Sequence, residues 1–148
     1  DYYYEEAPLK SKVVEILEIL KRANIPMAVA SSSEKGHIEA AFQRLEILKY
    51  FQVIYTCKEV GEGKESPLIF EKACEELGTD PEETYVFEDA LHAIKTAKKA
   101  GFRTVGIYDR YSEKDQKEIQ GTADIYIESW EQSSKLWQGL KITLRRNR

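Results

Sequence analysis

The sequence predicts an α/β fold built on one mostly parallel sheet with helices on both faces. Two observations lead there. Short apolar runs of strand length alternate with stretches in which apolar residues recur every three or four positions. The helical stretches between strands are long enough to be crossover connections, which return the chain to the same end of the sheet. In such sheets ligands sit outside the carboxyl ends of the strands.

The elements follow in order. Leu9, Val13, Ile16, Leu17 and Leu20 recur on one helical face, with Pro8 suited to the first turn. Pro26-Met27-Ala28-Val29-Ala30 reads as a buried strand that ends at Ser31-Ser32-Ser33. Ile38, Ala41, Phe42 and Leu45 mark a second helix, and Val53-Ile54-Tyr55-Thr56 the next strand. After the Gly61-Glu62-Gly63 loop, Ser66-Pro67 opens a third helix with a capping hydroxyl ahead of an N1 proline. Its core face is Ile69, Phe70, Ala73 and Leu77, and Gly78 stops it. Thr84-Tyr85-Val86-Phe87 is a strand, followed by a helix from Ala90 to Ala100 that Gly101 ends. Thr104-Val105-Gly106-Ile107 is another strand, and Ser112 with Asp115 forms a capping box for a polar helix. Ile125-Tyr126-Ile127 closes the strand series before a short helix around Trp130 to Leu140.

Composition removes several function classes. A chain of 148 residues with 42% hydrophobic and 32% charged residues suits one compact domain. No apolar run approaches the roughly 20 residues that span a bilayer, and the acidic, aromatic start is unlike a signal peptide. Membrane and nucleic-acid partners are not expected, the latter because the formal net charge is -4. The arginines of 144–148 read as a solvated tail. Cys57 and Cys74 have no metal-ligand spacing and are expected as reduced thiols in a cytoplasmic protein. His37 and His92 read as surface helix residues without metal-ligand partners.

Chemistry concentrates at the strand ends. One strand ends at Ser31, Glu88-Asp89 follows another, and Lys64 lies in the glycine-rich loop between them. Each has an ordinary explanation alone: a helix cap, a solvated lysine, acids that complement a helix dipole. Together, in order and at one edge of a sheet, they describe a phosphoryl site beside a metal. Adjacent carboxylates after a buried strand repel unless a cation intervenes. Mg2+ meets that demand with one or two protein carboxylates and several waters. Lys64 adds positive charge and Ser31 a neutral donor. A P-loop is rejected, since Lys58 and Glu65 stand where a glycine and a Ser or Thr are required. No GxGxxG follows a strand either.

Val29-Ala30-Ser31-Ser32-Ser33 resembles the second motif of haloacid-dehalogenase-superfamily phosphatases. Gly63-Lys64-Glu65-Ser66-Pro67-Leu68-Ile69-Phe70 is similar to the third-motif lysine and its helix. Val86-Phe87-Glu88-Asp89-Ala90, continuing through Ala100-Gly101-Phe102, is similar to the acidic fourth motif. The likeness runs from Pro8 to about Ile127. It implies a Rossmann-like core in which Ser31 hydrogen-bonds the transferring phosphoryl oxygen, assisted by the Ser32 amide. Lys64 would neutralise the phosphate and orient the nucleophile; Asp89 would ligate Mg2+, with Glu88 coordinating or fixing a metal-bound water. This chain departs from the family at four positions: Glu65 replaces the proline after the lysine, Leu68 the aspartate after Ser-Pro, Ala90 the serine after the acidic pair, and Ala93 a glycine.

The family's first motif, Asp-x-Asp-Gly-Thr, does not occur: Asp1, Asp80, Asp89, Asp109, Asp115 and Asp124 are all isolated. In relatives its strand lies between the Ser31-type and Glu88-type strands, so two unpaired edges are expected in mid-sheet. The reading is a partial core domain over 1–148 without the cap, with 1–7 as the linker from that cap and 141–148 as a tail. A missing N-terminal segment or another chain would complete the sheet. Tyr2-Tyr3-Tyr4 is expected to pack at the junction. The expected function is Mg2+-dependent hydrolysis of a small phosphorylated metabolite through an aspartyl-phosphate in the intact protein. This chain alone would be inactive. Glu88-Asp89 argues against metal-free dehalogenation. The alternatives are phosphoglucomutase-like transfer and a non-catalytic module that binds phosphate and Mg2+.

Overall fold

The computed structural model describes the backbone of residues 2–132 and 134–138, and side chains from residue 12 onward within that range. Residue 1, the Tyr2-Tyr3-Tyr4 side chains and the 141–148 tail lie outside it. Helix α1 (Tyr2–Arg22) leads into β1 (Ala28–Ser31), α2 (Lys35–Arg44) and β2 (Val53–Thr56). Helices α3 (Cys57–Val60) and α4 (Leu68–Leu77) precede β3 (Tyr85–Glu88), α5 (Leu91–Lys99) and β4 (Arg103–Ile107). Helix α6 (Gln116–Thr122) and β5 (Ile125–Ile127) complete the series, followed by helical backbone over 134–138. Among the described residues no helix is long and apolar enough to cross a membrane.

Every strand pair is parallel, but the strands form two sheets. One has β1 beside β2; the other has the order β3-β4-β5. Strands β1 and β3 therefore each have one edge without a strand partner among the described residues. This is the break expected where a first-motif strand would lie.

Side chains hold the halves together. Alternation along β3 sends Tyr85 and Phe87 to one face and Val86 to the other. On the first face Ile16 and Leu20 of α1 pack with Val105, Ile127 and Leu136. On the second, Ile69, Phe70 and Cys74 of α4 meet Ala93 and Ala97 of α5 and Phe102. Ala30 and Tyr55 from the first sheet and Val86 from the second reach this same cluster, so α4 and α5 bridge the break. A third cluster joins Leu17 of α1 to Ile47 and Tyr50, with Phe42 of α2 against it.

Three local expectations are corrected. Ser112 and Asp115 make no capping box. The Asp109 side chain accepts the Tyr111 N–H at 3.2 Å, and residues Arg110–Asp115 form 3-10 turns ahead of α6. Asp109 wins because it stands immediately before the first turn, two residues past the end of β4, where its carboxylate reaches the N–H two residues on. Helix α1 starts at Tyr2, so Pro8 lies beyond its first turn, where the missing N–H removes one backbone bond. The Ser66 hydroxyl accepts the Leu68 N–H at 3.2 Å, but α4 starts at Leu68 with Pro67 at its N-cap, so the expected N1 proline stands one position earlier. Both cysteines are free.

Candidate active site

Parallel pairing aligns the strand ends. Ser31 is in register with Thr56, so β1 and β2 end at one edge, and in the other sheet Glu88 ends β3 level with Gly106. Beyond β2, Thr56 caps α3 in a full capping box: its hydroxyl accepts the Glu59 N–H at 3.2 Å, and the Glu59 carboxylate accepts the Thr56 N–H at 3.2 Å. Gly61 closes α3 with φ of 89°, a left-handed conformation that suits glycine. The loop that follows delivers Lys64.

The Lys64 ammonium donates to the Glu88 carboxylate. Their side chains are only 12% and 9% exposed, so this is a largely desolvated pair. The ammonium also lies 5.9 Å from the centre of the Phe70 ring. Next along the chain, burial and then the Asp109 carboxylate push the Asp89 carboxyl above its usual 3.8, and Lys64 offsets only part of this. The surroundings of Asp89 thus favour its protonated form.

Ser31 and Ser32 stand on the same edge, with contacts of a local kind. The Ser31 hydroxyl accepts the Ser33 N–H at 3.0 Å, and the Ser32 hydroxyl lies 3.8 Å from Cys57 Sγ. The structure thus places Lys64 against Glu88 and near Asp89, while Ser31 and Ser32 stand at the end of β1 in the other sheet, without a hydrogen bond to that group among the described residues. His37 and His92 are both exposed helix residues.

Asp109 was not among the residues picked from the sequence. Its influence on Asp89 depends on β3 pairing with β4, which no local pattern announces. Glu59 was also missed, although Thr56-Cys57-Lys58-Glu59 carries the capping-box signature.

The donors suit a hard cation that keeps most of its waters. Among the described residues no group of three or more His, Cys, Asp or Glu side chains is poised to hold a metal. Asp89, whose carboxyl burial and then Asp109 push upward, is the carboxylate that could hold such a cation. Glu88, committed to Lys64, stands beside it.

The model of the haloacid dehalogenase-like hydrolases matches residues 3–107. The chain belongs to that family. Among the proteins it resembles is the validoxylamine A 7'-phosphate phosphatase of Streptomyces hygroscopicus subsp. limoneus. The two are 34% identical over 94 residues, which is 64% of this chain and 44% of that protein. CbbY from Rhodobacter sphaeroides, crystallised with xylulose-(1,5)bisphosphate and with phosphate, superposes with a TM-score of 0.71 at 30% identity, covering 80% of this chain and 52% of that one. A haloacid dehalogenase family hydrolase from Deinococcus radiodurans, with bound phosphate and sodium, shares the fold at a TM-score of 0.75 and 23% identity, covering 86% and 58%. The chain spans about half the length of these relatives.

Proposed function

We propose that this chain supplies the metal-side half of a Mg2+-dependent phosphatase that acts on a small phosphorylated metabolite in the cytoplasm. The observation that carries this reading is the desolvated Lys64–Glu88 pair beside Asp89, with Ser31 level with Thr56, from which the chain runs on to Lys64. A phosphomonoester needs its charge neutralised as transfer proceeds, and these groups are arranged to do that. Lys64 neutralises the phosphoryl oxygens and orients the nucleophile, while the Ser31 hydroxyl and Ser32 N–H donate to them. Asp89 would hold Mg2+, with Glu88 coordinating it or fixing one of its waters. Mg2+ supplies Lewis-acid stabilisation of phosphoryl charge when bound.

The nucleophile is an aspartate from outside these 148 residues, supplied by a further segment of the same polypeptide or by another chain. Its carboxylate would attack phosphorus and break the ester P–O bond, the metabolite leaving as its alcohol. Water would then cleave the aspartyl-phosphate to inorganic phosphate and the free carboxylate. The same added strand fills the break between β1 and β3. The phosphatase relative and the phosphate-bound neighbours support this reading, and the free Cys57 and Cys74 fit a reducing compartment.

The test is phosphate release from a panel of sugar phosphates and nucleotides by the intact protein that contains this sequence. Mg2+-dependent release that Lys64→Met abolishes is expected. Isomerised sugar phosphate without release would identify a mutase instead. Phosphate and Mg2+ binding with zero turnover would identify a non-catalytic module.

A further inference from the structure

Ser31 and Lys64 come from two different segments, and one carboxylate grips both. Oε1 of Glu59 accepts from the Thr56 backbone N–H and hydroxyl, each at 3.2 Å, fixing the turn from β2 into α3. Oε2 accepts from the Lys35 ammonium at 3.4 Å, where Lys35 is the first residue of α2. Lys35 stands four residues after Ser31, and Lys64 five residues after Glu59. Between these anchors the strands are already in register at Ser31 and Thr56, and Ser32 Oγ touches Cys57 Sγ at 3.8 Å. The turn after β1 and the turn after β2 are therefore laced by three successive links, with Glu59 as the outermost.

We propose that Glu59 is a positioning residue for the phosphate site: it clamps the Ser31–Lys35 turn to the Thr56–Val60 turn and so sets the spacing between Ser31 and Lys64. The inference rests on the reading of Ser31 and Lys64 as phosphate ligands. Burial works against the Glu59 charge, but the Thr56 and Lys35 contacts outweigh it and hold its carboxyl below the usual range. Glu59 is therefore ionised at neutral pH. Both partners of the Lys35–Glu59 pair are about half exposed, so the link adds little to global stability. Its consequence lies in geometry. Two donors that must converge on one phosphoryl group lose affinity when either turn drifts.

Two measurements on the intact protein test this. The first is hydrogen exchange of backbone amides 31–35 and 61–66, with the urea midpoint as a control for global stability. Glu59→Ala should speed exchange in both segments while the midpoint moves little. Glu59→Gln keeps a capping-box side chain and loses only the ion pair, so it should loosen 31–35 alone. The second is competitive inhibition by inorganic phosphate against p-nitrophenyl phosphate. Its inhibition constant should rise about tenfold in Glu59→Ala, below the ~100-fold cost of a 1 Å misplacement. Glu59→Gln and Lys35→Ala should each raise it less, and the double variant should be no worse than either single. Unchanged exchange in Glu59→Ala overturns the clamp, whatever phosphate does. Faster exchange with an unchanged phosphate constant overturns the positioning role. If phosphate fails to inhibit the unsubstituted protein, the phosphate-site reading falls and takes the positioning role with it, while the exchange data still decide whether the clamp exists.

Discussion

The Lys64 ammonium meets the Glu88 carboxylate across the break in the sheet. Lys64 leaves the loop that follows β2, whereas Glu88 ends β3 of the other sheet, and no strand hydrogen bond joins the two sheets. The pair is thus a polar link between halves otherwise joined by the packing of helices.

Removing one partner of so desolvated a pair leaves an uncompensated charge. Lys64→Met is expected to destabilise the protein by about 3 kcal/mol in urea unfolding. Combining it with Glu88→Gln, which makes both positions neutral, should restore much of that loss. A double variant no more stable than Lys64→Met would contradict the attribution to a stranded carboxylate.

Asp89 makes the opposite prediction. Its carboxyl is raised in the folded protein, so folding favours the protonated form. Without metal, stability therefore falls as pH rises through that elevated titration, and the loss is complete above it. At neutral pH, Asp89→Asn should raise the Tm of the metal-free protein. The same substitution should remove the Tm increase that Mg2+ gives the unsubstituted protein. A metal-free Asp89→Asn protein that melts earlier would count against strain at this position.

Asp124 behaves conventionally. Burial pushes its carboxyl up, yet hydrogen bonds from Lys98 and from the Thr104 N–H and hydroxyl bring it below 3.8. Its stabilisation is present above 3.8 and is lost as pH falls through its lowered value. The stability difference between the native protein and Asp124→Asn should accordingly narrow under acid conditions. Asp124→Ala leaves the N–H of the fully buried Thr104 without its partner and should cost about 1–3 kcal/mol at neutral pH.

Gly106 tests the packing of β4. A Cβ there would stand 2.7 Å from Ile119 Cγ2 and 3.2 Å from Ala123 Cβ. Gly106→Ala should cost about 1–3 kcal/mol by overpacking, read from the chemical unfolding midpoint. Ile119→Val should recover part of it if the methyl group there is the obstacle.

Most strands were legible in the sequence because buried parallel strands are short apolar runs, and β2 and β5 match their expected bounds. Strand β3 ends one residue later than expected, at Glu88, because that carboxylate turns inward to Lys64 and the ladder runs on. The third helix was placed by Ser66-Pro67, but Cys74 was not read as core, although it is buried and lies 2.8 Å from the Thr79 carbonyl oxygen. Small helices such as α3 carry too few residues for periodicity to register. The strand-end residues could be named in advance because each closes a local pattern. Their partnerships could not, since Lys64 and Glu88 are 24 residues apart and meet only once α4 packs against both sheets.

The broken sheet has a consequence for how the molecule is assembled. Its first sheet is drawn wholly from residues 28–56 and its second from 85–127, with no strand of one threaded between strands of the other. Each sheet is drawn from one contiguous stretch of chain, but the free edges of β1 and β3 both await the strand that would fill the break. The segment between them, from Gly61 to Ser66, carries the Lys64 that crosses to Glu88, and α1 from the first stretch packs on the second sheet, so the two stretches are stabilised together.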